Sequence, residues 1–423
     1  MVILFVLAGI AALAALVAMQ WYAWRRLVRD TTSRSGAARR AGAVVFVTGP
    51  LLMFAAFASE RAGAPFWLQK VLAWPGFMWM ALSIYLVLAL LVGELVRPFF
   101  LRRGAKAAPT EDAVKAETAA PVAQPENPAP AERPEGNPGP ERARREPASP
   151  SRRLFVSRIV GGTAAAVAVG TVGHGTYGVL RGPRVKRVTV PLAKLPRGAH
   201  GFRIAVVSDV HLGPILGRGF TQRVVDTING TQPDLIAVVG DLVDGSVEDL
   251  GPAAAPLAQL RARHGTYFVT GNHEYFSGAE QWVDHVRELG LRPLENARTE
   301  LPGFDLAGVD DVAGEREGHG PDFAKALGDR DRSRASVLLA HQPVVIHDAV
   351  KHGVDLQLSG HTHGGQLWPG NFIADLANPT LAGLERYGDT QLYVTRGAGA
   401  WGPPVRVGAP SDVTVVELAS RQA

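Results

Sequence analysis

Five short polar motifs carry residues that could do chemistry together, and each follows a short strand-like run. In chain order they are DVH at 209–211, GDLVD at 240–244, GNHE at 271–274, His341, and GHTHGG at 360–365. Each motif alone is common. Five in order, each after a strand-like run, predict a single site rather than coincidence.

Carboxylate and imidazole ligands without sulfur suit Mn, Fe, Zn or Mg. The chain has no cysteine, so thiolate metal sites and disulfides are excluded. Residues at i and i+2 of an extended segment face the same side, so we expect Asp209 with His211 to hold one ion, and His361 with His363 to reach the same cluster. Glycines at 240, 271 and 360 allow sharp turns and close approach.

These motifs need elements to position them. Strands are predicted over 203–208, 235–239, 266–270, 336–340, 355–359, 391–395 and 412–418, and helices over 218–229, 253–261, 281–289, 322–327 and 343–351. Strands alternating with helices indicate α/β layering. In such folds the ligand lies beyond the carboxyl ends of strands, which is where the motifs fall.

The pattern D-x-H, G-D-x-x-D, G-N-H-[DE], H, G-H-x-H resembles the calcineurin-like metallophosphoesterase superfamily over about residues 185–423. The segments 360–370 and 395–406 resemble its membrane-anchored bacterial branch. The resemblance implies a four-layer α/β/β/α sandwich, two mixed sheets flanked by helices, preceded by a helical transmembrane region. It also implies two divalent ions, one held by Asp209, His211, Asp241 and His363, the other by Asp241, Asn272, His341 and His361.

The same resemblance implies a mechanism in which a metal-activated hydroxide attacks phosphorus. The catalytic residues it implies are His273, facing the substrate phosphate, and Asp244, which orients His273. Glu274 is expected to support a loop. Arg396, in a glycine-rich loop, is a candidate for binding substrate phosphate, with a structural ion pair as the alternative. Asp310 and Asp311 are interpreted as turn residues.

The first hundred residues predict a membrane region. Three transmembrane helices are expected at about 2–24, 43–58 and 71–96, and Arg-rich segments after the first and third predict that those segments are cytoplasmic. Residues 101–150 predict a disordered Ala/Pro/Glu-rich linker. Residues 151–180 fit either a twin-arginine-like export signal or a fourth membrane helix, and 181–423 form the metallophosphoesterase domain.

The net charge of +5 is unevenly distributed. Residues 1–180 hold 20 Lys and Arg against 11 Asp and Glu, whereas 181–423 hold 24 against 28. The basic character therefore belongs to the membrane region. A mildly acidic C-terminal domain argues against a nucleic-acid partner.

We therefore expect a membrane-embedded phosphoesterase with its catalytic domain outside the cytoplasm, hydrolysing phosphodiesters that include phospholipid or lipid-linked substrates. A phosphomonoesterase and a lipid-precursor pyrophosphatase are alternatives. A non-catalytic metal-containing membrane sensor is another, although the full ligand set favours an enzyme. A transporter is disfavoured, because the spans show no internal repeat. The sequence leaves the oligomeric state and the metal open.

Overall fold

A computed structural model describes residues 2–32, 36–103 and 152–422. The helices are α1 Val2–Trp24, α2 Ala37–Arg61, α3 Phe66–Arg103, α4 Arg152–Leu180, α5 Arg218–Gly230, α6 Val247–Ala254, α7 Asn272–Ser277, α8 Ala279–Glu288, α9 Phe323–Leu327, α10 Ile346–Lys351 and α11 Gly370–Ala377. The strands are β1 Arg184–Leu192, β2 Phe202–Val207, β3 Leu235–Val239, β4 Thr266–Val269, β5 Arg292–Pro293, β6 Ala297–Leu301, β7 Phe304–Gly308, β8 Ala335–Leu339, β9 Leu356–Ser359, β10 Gly383–Tyr387, β11 Thr390–Val394 and β12 Asp412–Ser420. The predicted linker lies outside the described residues from 104 onward.

Two six-stranded mixed sheets organise the C-terminal part of the chain. One has the order β1-β12-β2-β3-β4-β5 and the other β10-β11-β9-β8-β7-β6. Within them, β2, β3 and β4 are parallel neighbours, as are β7, β8, β9 and β11. Their carboxyl ends therefore come together along one edge of each sheet, which is where polar side chains can converge.

Strand β3 shows how the layers form, because its residues alternate between two cores. Leu235, Ala237 and Val239 lie in the core between the sheets, while Ile236 and Val238 pack against helices α5, α6 and α8. A third core joins the outer face of the second sheet to α9 and α10. This is the predicted order of helix, sheet, sheet and helix.

The predicted strands lie within a residue or two of the observed ones, but one helix is wrong. The helix predicted over 253–261 is instead α6, which begins six residues earlier, followed by a 3-10 turn at Ala255–Gln259. Ser246 caps α6 by accepting a hydrogen bond from the Asp249 amide at 3.2 Å. Pro256 lies in the first turn of the 3-10 segment, where proline is tolerated.

Three described helices are long and apolar enough to cross a membrane, at Ala37–Arg61, Phe66–Pro98 and Arg153–Leu180. The helices extend past the predicted apolar runs, because polar flanking residues continue them. A tight turn joins α2 to α3. Gly63 has a φ of 59°, and Ala64 donates a backbone hydrogen bond to the Ser59 carbonyl at 2.9 Å, which ends α2.

The chain divides into two compact units, Met1–Phe46 with Leu86–Val167, and Val47–Tyr85 with Ala168–Ala423. In the first, Glu94 pairs with Arg26 at 3.0 Å and with Arg97 at 3.6 Å. The second contains both sheets together with the turn between α2 and α3. That turn is therefore part of the same compact unit as the polar motifs.

Candidate functional site

The five motifs lie in loops that follow β2, β3, β4, β8 and β9. Backbone hydrogen bonds join neighbouring loops within each sheet, and the His361 amide joins the two sheets by donating to the Asp209 carboxylate at 3.1 Å. The Asp209 amide donates to the Gly240 carbonyl at 3.1 Å, the His211 amide to the Asp241 carbonyl at 3.2 Å, and Gly360 to the carbonyl of His341 at 2.9 Å. Residues far apart in the sequence are thereby held in one rigid cluster.

The backbone of these loops is not extended, in contrast to the prediction from the sequence. Asp209, His211, Asp241, His361 and His363 all have positive φ, between 48° and 74°. Non-glycine residues rarely adopt this region, and such strain concentrates at functional sites. The structure brings Asp209 and His211 into one group of ligand atoms, whereas His361 and His363 lie in two neighbouring groups. All four residues lie in left-handed loops rather than in an alternating strand.

A first cluster of possible metal ligands contains Asp209, His211 and His363, all buried. The Nε2 atoms of His211 and His363 lie 3.0 Å apart, and His363 Nε2 is 3.3 Å from Asp209 Oδ1. Asp241 Oδ2 lies 3.8 Å from His211 Nε2. The four residues expected to hold one ion therefore do converge.

A second cluster contains Asp241, His341 and His361. His341 Nε2 is 3.1 Å from Asp241 Oδ2, and His361 Nδ1 is 2.9 Å from Asn272 Oδ1. Asp241 is thus near both clusters, which is the position expected of a bridging ligand. The structure brings all seven predicted ligands together.

Two observations test whether these residues fit divalent cations. His341 Nδ1 donates to the Val239 carbonyl at 2.8 Å, which directs Nε2 into the cluster, and that buried Nε2 has no hydrogen-bond partner among the described residues. Burial alone lowers the pKa of His341, but Asp241 raises it well above its usual value. The buried carboxylates thus favour positive charge where the oxygen and nitrogen ligands meet, and the residues fit a divalent ion.

His273 lies beside the clusters and is positioned by two carboxylates. Its Nδ1 donates to Asp244 Oδ1 at 2.6 Å, and its backbone amide donates to Asp241 Oδ1 at 2.9 Å. Burial lowers the pKa of His273, but the hydrogen bond and charge of Asp244 outweigh it and raise the pKa to about 9. Burial raises the pKa of Asp244, and the charges of His211 and His273 lower it to about 2. An imidazolium–carboxylate pair results, with Nε2 of His273 free to act.

Glu274 supports the loops, as expected. It is fully buried, and its carboxylate accepts hydrogen bonds from the amides of Asp241 at 2.9 Å, Leu242 at 2.7 Å and Gly271 at 2.6 Å. The lack of a side chain at Gly271 matters equally, because a Cβ there would lie 2.3 Å from Asp241 Oδ1. Both residues fix Asp241 between the clusters.

Arg406 is a residue that sequence reasoning missed. It is buried, and its Nη2 lies 3.0 Å from His363 Nδ1 while Nη1 donates to the His363 carbonyl at 3.0 Å. A guanidinium can only donate, so this contact orients the His363 ring with Nδ1 as the acceptor. Nothing in residue type or spacing distinguished Arg406 from the other arginines of this region.

Arg396, the predicted phosphate-binding residue, lies next to the same loop. A Cβ built on Gly364 would be 3.1 Å from Arg396 Cγ, so its aliphatic part packs against the glycine pair after His363. Asp310 and Asp311 lie in turns, as expected. Asp310 Oδ2 accepts from Asn296 Nδ2 at 2.7 Å, and Asp311 caps a 3-10 turn by accepting from the Ala313 amide at 2.8 Å.

The clusters at one edge of a two-sheet sandwich define a metallophosphoesterase, and comparisons with known proteins agree. The model of the calcineurin-like phosphoesterase family matches residues 202–365. Uncharacterized metallophosphoesterases of Aquifex aeolicus and Bacillus subtilis are 37% and 30% identical, over 56% and 64% of this chain and 91% and 98% of their own lengths. The chain belongs to the calcineurin-like phosphoesterase family.

A transmembrane protein with a metallophosphoesterase domain from Danio rerio is 39% identical over 259 residues, which is 58% of this chain. The match covers 59% of the Danio rerio protein, so this chain spans less than two thirds of that relative's length. The family implies a metal-dependent phosphoester hydrolase, and the relatives come from both bacteria and animals.

Proposed function

We propose that this protein is a membrane-anchored, two-metal phosphodiesterase whose catalytic domain lies outside the cytoplasm. The single observation that supports this most strongly is the convergence of seven nitrogen- and oxygen-bearing side chains on two clusters that share Asp241. Beside them stands His273, which contributes no atom to the cluster around Asp241, His341 and His361 and is bonded instead to Asp244.

One ion would be held by Asp209, His211, Asp241 and His363, and the other by Asp241, Asn272, His341 and His361. Such ions, when bound, neutralise phosphate oxygens and lower the pKa of water. The protein's own contribution is rigid placement, because the ligand loops are joined by backbone hydrogen bonds and by Glu274. Preorganised groups of this kind need no rearrangement as charge develops.

His273 supplies the proton in this proposal. Asp244 holds its Nδ1–H, so the imidazolium presents Nε2–H toward the reacting phosphate. From there it can stabilise charge on a phosphate oxygen or protonate the leaving oxygen. The ionised Asp244 beside it favours a diester, with one negative charge, over a monoester with two.

The proposed orientation is supported by charge and by packing. Arginines concentrate between α1 and α2, at the start of α2 and at the end of α3, which predicts that these parts lie in the cytoplasm. The α2–α3 turn is then extracytoplasmic, and Phe66 next to it packs against a core of the catalytic domain. A C-terminal fusion to alkaline phosphatase should be active in cells. A fusion to a reporter that works only in the cytoplasm should be silent, and a strong signal from it would overturn the orientation.

The activity is best tested on the full chain, because residues 47–85 belong to the compact unit that carries the site. The purified protein, stripped and reloaded with Mn²⁺, should hydrolyse bis-p-nitrophenyl phosphate faster than p-nitrophenyl phosphate. Asp241→Asn should lose at least 100-fold in kcat/KM, since it removes charge from both clusters. The exposed Asp389→Asn serves as the matched control. Monoester cleavage alone would favour a phosphatase, and metal-loaded protein inactive on both esters would favour a sensor.

A further inference from the structure

The turn between α2 and α3 contributes to the wall of the catalytic site. The ring of His273 is flanked by Phe276 and Trp401, with ring centroids 5.5 Å and 5.7 Å away. Each of these rings is contacted by the end of α2. Phe57 lies 6.4 Å from Trp401, and the guanidinium of Arg61 lies 5.9 Å from the Phe276 ring. A segment some 200 residues away in sequence therefore borders His273.

Packing holds the end of α2 and the α2–α3 turn in place. Phe57 and Phe77 form an edge-to-face pair with centroids 5.0 Å apart, and Ile215 of the catalytic domain packs on the buried cluster that includes Phe77. Gly63 donates a backbone hydrogen bond to the Glu60 carbonyl at 3.2 Å, which closes the turn. The position of Glu60 is thus set by contacts on both sides.

Glu60 faces the site with an available carboxylate. It lines a pocket together with His211, Asp244 and Trp401. Its carboxylate accepts no hydrogen bond from the part of the chain that the structure describes, and it is partly exposed. Asp244 is already paired with His273, so Glu60 adds a further carboxylate that favours a cation on this side of the site.

The rings of Phe276 and Trp401 also favour a cation at this side of the site. Phe276 is 65% exposed and Trp401 47% exposed, so both present surface to a bound molecule. Aromatic faces attract ammonium groups, and the attraction increases when a carboxylate lies nearby. A phosphodiester whose phosphate lies at the metal-ligand clusters would place one of its two alcohols toward this wall. A cationic group on that alcohol would be stabilised there, whereas an anionic group would be repelled.

We propose that Glu60, Trp401 and Phe276 form a subsite for the ammonium group of a zwitterionic membrane phosphodiester, such as one with an ethanolamine or choline head group. This inference rests on the proposed function and names its substrate class. The subsite lies on a turn between two membrane-spanning helices, which is where the head group of a lipid would be found.

The test uses the full chain in detergent, loaded with Mn²⁺, and two soluble esters with the same chromophore. These are p-nitrophenyl phosphorylcholine, which carries the cation, and bis-p-nitrophenyl phosphate, which does not. The measured quantity is the ratio of kcat/KM for the first ester to that for the second. We expect Glu60→Gln to lower this ratio about fivefold or more, and Glu60→Lys to lower it further. Glu280→Gln, an exposed glutamate on α8, should leave it unchanged.

An unchanged ratio in both Glu60 variants, with the melting temperature of each near that of the wild type, would overturn the subsite. If neither Glu60 variant folds, Trp401→Leu tests the same wall and should also lower the ratio. Failure of the proposed function gives a different result. Any cleavage of the two esters would then persist in Asp241→Asn. Cleavage of bis-p-nitrophenyl phosphate with no preference for the choline ester rejects only the subsite.

Discussion

Asp244→Asn tests how the site positions its proton donor. The Asp244 carboxylate accepts from His273 Nδ1 at 2.6 Å and from His211 Nδ1 at 3.0 Å. Asparagine has nearly the same shape but no charge, so the substitution weakens both hydrogen bonds without creating a cavity. A hydrogen bond to a charged partner contributes about 1.5–3 kcal/mol. If the bond to His273 dominates, kcat/KM for bis-p-nitrophenyl phosphate should fall about 10- to 150-fold.

A double-mutant cycle separates the two hydrogen bonds of Asp244. If Asp244 acts through His273, then Asp244→Asn in a His273→Gln background should cost less than about threefold beyond His273→Gln alone. Metal content, measured by atomic absorption on the same samples, reports on the second bond, to His211. Losses that multiply in the double variant at unchanged metal content would refute the reasoning, as would wild-type activity in Asp244→Asn.

Three further predictions concern the supporting structure. Gly360→Ala places a Cβ 1.9 Å from Ser208 Oγ, so the loops must separate; we expect lower metal content and a reduced melting temperature, whereas Gly198→Ala, which meets nothing within 4 Å, should change neither. Glu274→Gln puts an uncharged amide against three backbone donors and should destabilise the fold by about 2 kcal/mol or more, measured by urea unfolding. The pKa of Asp310 is raised to about 7 by burial and by the charge of Glu295, so the folded state holds this proton more tightly than the unfolded state, and stability is lost as pH rises toward 7. A pKa of about 7 corresponds to about 3 kcal/mol between pH 5 and pH 8.5, which partial solvent exposure reduces. The stability of Asp310→Asn relative to wild type should therefore increase by about 1–2 kcal/mol over this range, and thermal unfolding that shows no such trend would contradict the raised pKa.

The sequence alone determined the ligand types and the order of the elements that carry them. The structure places a predicted ligand two or three residues after the end of each of five strands; these ligands are Asp209, Asp241, Asn272, His341 and His361. Parallel strands bring their carboxyl ends to one edge, so residue type and position after a strand were enough to predict convergence. The glycines at 240, 271 and 360 were also predicted from the sequence, because the turns between strand and ligand require them.

The conformation of the loops was not determined locally. Asp209 and His211 occupy the left-handed region because neighbouring loops hold them there through backbone hydrogen bonds, and no propensity of aspartate or histidine predicts that. The sequence pattern predicted an extended segment at 209–211. It therefore gave the proximity of Asp209 and His211 correctly but for the wrong reason.

Only the tertiary structure decided which distant residues complete the site. Arg406 contacts His363 from a loop after the last predicted site residue. Glu60 lines a pocket with His211, and Phe57 contacts Trp401, both from a helix with a hydrophobic pattern typical of a membrane span. Their roles depend on packing between segments up to about 340 residues apart, which residue type and local spacing do not encode. The sequence thus specified the types of the metal ligands, whereas the residues that border His273 followed from how the end of α2 and the α2–α3 turn pack against the sheets.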